Sequence, residues 1–302
     1  MKSRTVNSSD LLPGTPALRQ PGLAWRKALR RSVYLVLAYL FLLAVGTFFM
    51  IPLLWMFTTA IKPLQDIFKM PPVWIPNPPQ WQQLWEPWIE RNFTLYFNNT
   101  SKIAVLSVIG TILSSSLVAY SFARLRWPGR DIFFILTLSA MMLPFQVRLI
   151  PLFLIFKQLG WINTHLPLIV PHFFGGAFEI FLLRQYFRSL PRDLDDSAKI
   201  DGAGYFRIYW NILLPLTKPA LAAVGIFTFM NQWNAFLTPL IYLSERKKYV
   251  LAIGLAVMRD EFQVDWSDLM AISFLVTLVP LVVFFAAQKY FIQGITMTGL
   301  KG

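Results

Sequence analysis

Six stretches of the chain are apolar over a long distance, and shorter polar segments separate them. They lie at about 33–60, 103–123, 132–156, 167–187, 219–243 and 269–287. A helix needs roughly 20 apolar residues to cross the hydrocarbon core of a bilayer, so each stretch predicts one membrane span. Pro144 and Pro151 interrupt the third stretch and predict a kink, because each removes a backbone donor and clashes with the preceding turn. The second is rich in small residues: Gly110, Ser114, Ser115, Ser116 and Ala119. Such residues let helices approach closely in lipid, which predicts a central place in the bundle. The first stretch reads as a retained span rather than a cleaved leader, since Ile51-Pro52-Leu53-Leu54-Trp55 continues where small residues would mark a cleavage site. The expected fold class is an all-α polytopic membrane protein with six transmembrane helices.

Composition supports lipid as the solvent. Of 302 residues, 56% are hydrophobic and only 14% charged, where a soluble domain carries about 25% charged residues. The chain has no cysteine, so neither a disulfide framework nor a thiolate metal site is available. The net charge of +13 could suggest nucleic acid, but its distribution argues for topology instead. Both terminal segments and the loops 124–131 and 184–218 hold 18 of the 28 Lys and Arg residues. Segments 61–102, 157–166 and 244–268 hold nine, and Arg148 falls within a span. The first group is therefore expected on the cytoplasmic side, with both termini, and nucleic acid is not expected as a partner.

Residues 1–32 read as a basic cytoplasmic tail, poorly ordered at its start, and 33–302 as the transmembrane domain. Arg26-Lys27 and Arg30-Arg31 precede the first span as a cytoplasmic anchor would. Between 61 and 95 seven prolines forbid a long helix, and Trp74, Trp81, Trp85 and Trp88 suit an external membrane interface.

Several function classes fail on their chemistry. No phosphate-cradling GxxxxGK[ST] occurs, so the chain does not hydrolyse ATP by that route. HExxH, GxSxG and Cys/His clusters are absent, and His165 and His172 are too few and too peripheral for a metal enzyme. Ion-coupled carriers usually place carboxylates or a broken-helix ion site within the membrane; Glu179 is the sole carboxylate well inside a span. A secondary carrier is therefore the weaker alternative, and a passive scaffold the third reading. Arg148 and Glu179 fall at different depths, so an ion pair between them is not expected.

The segment 191–215 departs from the apolar pattern. Pro191 suits a helix first turn, and Asp193, Asp195 and Asp196 complement its positive end. Asp195 and Lys199 are spaced to pair on the helix surface, while Leu194 and Ala198 share another face. Gly202 and Gly204 stop the helix; a second short helix through Tyr205–Tyr209 follows, and Pro215 opens the next span. A polar helix-turn-helix of this kind is shaped to dock into a groove on another protein.

Its spacing resembles the EAA loop of ATP-binding-cassette (ABC) importer permeases, EAA-x3-G-x9-I-x-L-P. Here it reads Asp196-Ser197-Ala198, three residues, Gly202, nine residues, Ile212, one residue, Leu214-Pro215. Asp replaces Glu and Ser replaces the first Ala. Further fragments are similar to the carbohydrate branch, the second permease subunit of maltose-type systems. They are Ala119-Tyr120-Ser121-Phe122-Ala123-Arg124, Leu143-Pro144, Ile200-Asp201-Gly202-Ala203, Trp233-Asn234 and the 293–302 ending.

The resemblance implies an inner-membrane permease forming half of the pathway for a sugar or sugar-like solute. The implied partners are a homologous second permease, two ATPase subunits, an external sugar-binding protein and membrane lipid. No cofactor is expected in this chain; ATP and Mg belong to the ATPases. Asp196, Ser197, Ala198, Asp201 and Gly202 would couple to the ATPase. Asn231, Gln232, Trp233 and Asn234 form a polar cluster with one aromatic ring, a candidate substrate path or a set of helix–helix contacts.

Overall fold

The computed structural model describes the backbone of residues 21–259 and 264–299 and the side chains of 29–259 and 264–288. Most of the expected basic tail, and the side chains of the 293–302 ending, lie outside the described residues. Every regular element among the described residues is helical. The chain divides into two compact units, one ending at Leu54 and one beginning at Trp55. The first carries most of α1 (Pro21–Ala60), an unbroken apolar helix.

The second unit is organised around α2 (Phe93–Arg124). Its small side chains are buried as expected, Ser107, Gly110, Thr111, Ser115, Ser116 and Ala119 among them. Gly110 shows why smallness matters: a Cβ there would stand 2.6 Å from the Phe173 ring. Around α2 pack the segment 166–174, α5 (Ala177–Ser189) and α7 (Lys218–Trp233). The long α9 (Trp266–Gly299) packs on α7.

Among the described residues four helices are long and apolar enough to cross a membrane: Leu29–Ala60, Phe93–Arg124, Leu166–Ser189 and Trp266–Gln288. Two bent pairs raise the possible total to six. The first pair replaces the kinked helix expected over 132–156. Here α3 (Arg130–Met141) and α4 (Phe145–Gln158) meet at 100°. Pro144 has an extended ψ of 143° and starts α4, having ended the hydrogen-bond ladder of α3. Pro151 lies inside α4 and ends nothing. The second pair is Tyr205–Leu216 and α7, bent by 77° at Thr217. Where the apolar pattern predicted helix to 243, α7 stops at Trp233 and a separate short helix covers Leu237–Tyr242.

The fourth span is itself interrupted, at Gly175 (φ +84°) and Gly176. Broken helices free backbone groups that lipid cannot satisfy, and the hydroxyl row of α2 supplies partners. Gly176 N donates to Ser115 Oγ at 3.2 Å, and Ser114 and Ser107 hydroxyls donate to the carbonyls of His172 and Leu168. The serines therefore hold the break as well as allowing close packing.

One cluster of buried side chains joins the inner end of the bundle to the polar loop. Tyr120, Phe122, Leu183, Phe187, Ala198, Ile208, Tyr209 and Leu213 belong to it. At the other end Phe93, Trp233, Leu251, Met258 and Ile272 form a second cluster, the last three from α8 (Leu251–Arg259) and α9.

Candidate functional site

The loop after α5 folds as α6 (Asp193–Ile200), a turn, and a short helix Tyr205–Ile208 that runs into a π-turn over Tyr209–Leu213. Three acids stand in the first turn of α6, where the macrodipole favours them. Gly202 has φ +78°, the left-handed geometry that ends a helix and that glycine adopts without strain. The Ala203 N–H reaches back to the Ala198 carbonyl at 2.9 Å and closes the turn.

The expected pair of Asp195 with Lys199 does not form. Asp195 is buried and meets Arg124 Nη1 at 2.9 Å, while Lys199 binds Asp196, one residue closer, at 3.2 Å. The reason is tertiary. Asp195 lies on the same face as Ala198, which packs on the α2 end, so its carboxylate points at α2 rather than at solvent. Arg124 also donates to the Leu190 carbonyl, and the Tyr120 hydroxyl donates to the Tyr205 carbonyl at 3.0 Å. Two polar links and an apolar seam thus fasten α6 and its successor to the last turn of α2, and a third holds the end of α5 beside them. The importance of Tyr120 and Arg124 was hidden in sequence because they lie 66 to 85 residues from their partners.

The opposite face is bare. Asp196, Ser197, Asp201 and Gly202 are exposed, and Ile200 is 87% accessible. Phe206 is 67% exposed and stacks on exposed Trp210. Of the predicted coupling residues only Ala198 is buried, as the inward anchor.

The other candidate cluster comes apart on inspection of its contacts. Trp233 is 3% exposed, stacked on Phe229 and edge-on to Phe97. It is a core ring and cannot serve as an open aromatic platform. Asn234 ends α7 and turns its amide back to the Met230 carbonyl at 2.8 Å. Gln232 donates to His172 Nε2 at 2.9 Å, which leaves Nδ1 of that ring facing Thr111 Oγ1 at 3.1 Å. A chain of side chains therefore ties α7 through the broken span to α2. Asn231, like Asn234, is exposed. Glu179 folds against Gly176 at the start of α5, and Arg148 lies exposed on α4.

A multi-pass helical bundle with interrupted spans and one rigidly mounted polar element defines a membrane permease. Residues 110–297 match the family described as "Binding-protein-dependent transport system inner membrane component". The chain belongs to that family and is a permease subunit of an ABC importer, not an enzyme. Among its relatives is the arabinooligosaccharides transport system permease protein AraQ of Bacillus subtilis, 31% identical over 90% of this chain and 97% of that one. The sn-glycerol-3-phosphate transport system permease protein UgpE of Yersinia enterocolitica is 32% identical over 81% and 89% respectively. In fold the chain is similar to one from a bacterial ABC transporter that imports the acidic polysaccharide alginate. The TM-score is 0.75 over 92% of this chain and 100% of that one, at 23% identity.

Proposed function

We propose that this chain forms half of the pathway of a carbohydrate importer and receives motion from an ATPase through residues 191–215. The carrying observation is the two-faced mounting of α6. Its inner face is fixed by the buried Arg124–Asp195 pair and Ala198, and its outer face, from Asp196 to Phe206, is uncovered. A lever needs both properties. It must move as one body with the spans, and it must offer a surface to the partner that drives it.

The sugar class is supported by the relatives' solutes, arabinooligosaccharides among them. In the assembled importer a second permease completes the pathway, two ATPases carry ATP and Mg, and an external binding protein delivers the solute. The basic loops, with α6, face the cytoplasm of a bacterial or archaeal cell.

Asp196→Lys reverses the charge on the outer face without touching the buried pair. Complexes carrying it should reach the membrane yet lose ATP-dependent uptake or shed the ATPase, while Asp196→Glu should transport normally. Full uptake by Asp196→Lys would reduce α6 to a connector.

A further inference from the structure

A second polar feature lies beside the mounting of α6. Where α3 begins and α5 ends, a cavity of about 190 Å³ is lined by Phe122, Ala123, Asp131 and four arginines: 130, 184, 188 and 192. Arg126 joins Arg130, Asp131 and Arg192 around an adjoining hollow. The four arginines of the cavity thus have one carboxylate among its lining, Asp131, which Arg130 grips through two hydrogen bonds of 2.9 and 3.1 Å. Arg126 and Arg192 also face Asp195 and Asp196 across a neighbouring hollow.

Arg184 is the telling member. Its side chain is about nine-tenths buried, its guanidinium lies 3.7 Å over the Phe134 ring, and its Nε donates to the Phe122 carbonyl. Its Nη2 stands 3.9 Å from Asp131, too far for a hydrogen bond. A buried cation is costly unless its donors and charge are met, and here the nearest carboxylate already serves Arg130. The fork is fixed in place by packing, with part of its donor capacity directed to the cavity. At roughly 30 Å³ per water the space equals about six waters, enough for one phosphodiester group.

We propose that this cavity holds the phosphate of an anionic phospholipid. Charge complementarity calls for an anion, and the surroundings choose a lipid. Directly beyond the arginines α3 exposes Ile132, Phe133, Ile135 and Leu136, each more than half accessible. A headgroup on Arg130, Arg188 and Arg192 would therefore lay its acyl chains along this apolar face, and Trp127, packed on Phe133, sits at the boundary between the two. Basic pockets between helices at a membrane surface bind such headgroups by this division of labour. The same lipid would brace α3 and α5 beside Arg192, the residue that caps the start of α6.

The test uses the full chain, extracted in mild detergent with the subunits that co-purify, and native mass spectrometry. Phosphatidylglycerol should be retained and phosphatidylcholine of the same acyl chains should not. Arg188→Gln with Arg192→Gln should lower phosphatidylglycerol retention by about tenfold or more, and Lys at both positions should keep most of it. The control pair Arg246→Gln and Lys247→Gln, on another loop, should change nothing. Inorganic phosphate at equal concentration should not displace the lipid; displacement would mean a free-anion site and would overturn the proposal. A photoreactive residue at Phe133 should cross-link to lipid in membranes, whatever the stability of the arginine variants. Cross-linking chiefly to another polypeptide, or equal retention of the two lipids, would also overturn it.

Discussion

At the scale of single residues, Arg124, Asp195 and Gly202 decide whether the polar loop behaves as a rigid part. The Arg124–Asp195 pair is buried, so each ion depends on the other; removing one partner of such a pair costs about 3–5 kcal/mol because the survivor is left uncompensated. Gly202 acts differently. Nothing lies within 4 Å of where its Cβ would be, so a side chain there meets open space and only the backbone objects. With φ at +78°, Gly202→Val should cost on the order of 1–3 kcal/mol. Asn tolerates the left-handed region, so Gly202→Asn should be close to neutral. Thermal unfolding of the purified complex, read beside ATP-driven uptake, checks both. Equal loss in Val and Asn variants would show that the position is sensed by a partner's surface rather than by strain. Gly202 was legible in sequence because a helix stop is local. The partner of Asp195 was not, because chain spacing favours Lys199 and only tertiary packing brings Arg124 closer.

Among the elements, the apolar pattern located the helices but not the breaks within them. Hydropathy integrates over a window, so it passes smoothly across Met142-Leu143-Pro144, Gly175-Gly176 and Asn234-Ala235, where the helices stop. Each break was nonetheless marked by a residue type. Proline ends α3, paired glycines open the fourth span, and an asparagine caps α7. The amides of 231–234 illustrate the limit of composition. Grouped polar residues in an apolar stretch suggested a solute path, yet Gln232 and Asn234 serve packing and capping, and Trp233 is core. Its indole N–H is buried without a hydrogen-bond partner. Trp233→Phe removes that orphaned donor and keeps a ring against Phe229 and Phe97. Uptake should be unchanged and the loss of stability smaller than in Trp233→Ala, which should cost about 3–5 kcal/mol. Loss of uptake in a stable Trp233→Phe protein would restore a solute-contact role to the indole.

For the whole molecule, the two bent pairs decide how many times the chain crosses the bilayer. Between the external-looking segment at Gln82 and the polar loop at Ser197 lie α2, the α3–α4 pair and the interrupted span 166–189. If α3 and α4 together cross once, three crossings separate the two positions and they face opposite sides. If the 100° bend makes the pair re-entrant, only two crossings remain and they face the same side. The chain contains no cysteine, so a single Cys at either place can be labelled without background. Both positions are exposed. The proposed orientation, argued from the 18-to-nine excess of Lys and Arg, puts Ser197 on the cytoplasmic side. Ser197→Cys should therefore react only with membrane-permeant reagents in intact cells, and Gln82→Cys with impermeant ones. Labelling of both from outside, or of neither, would make α3–α4 a re-entrant hairpin. Exchange of the two results would invert the permease and leave α6 facing away from any cytoplasmic ATPase.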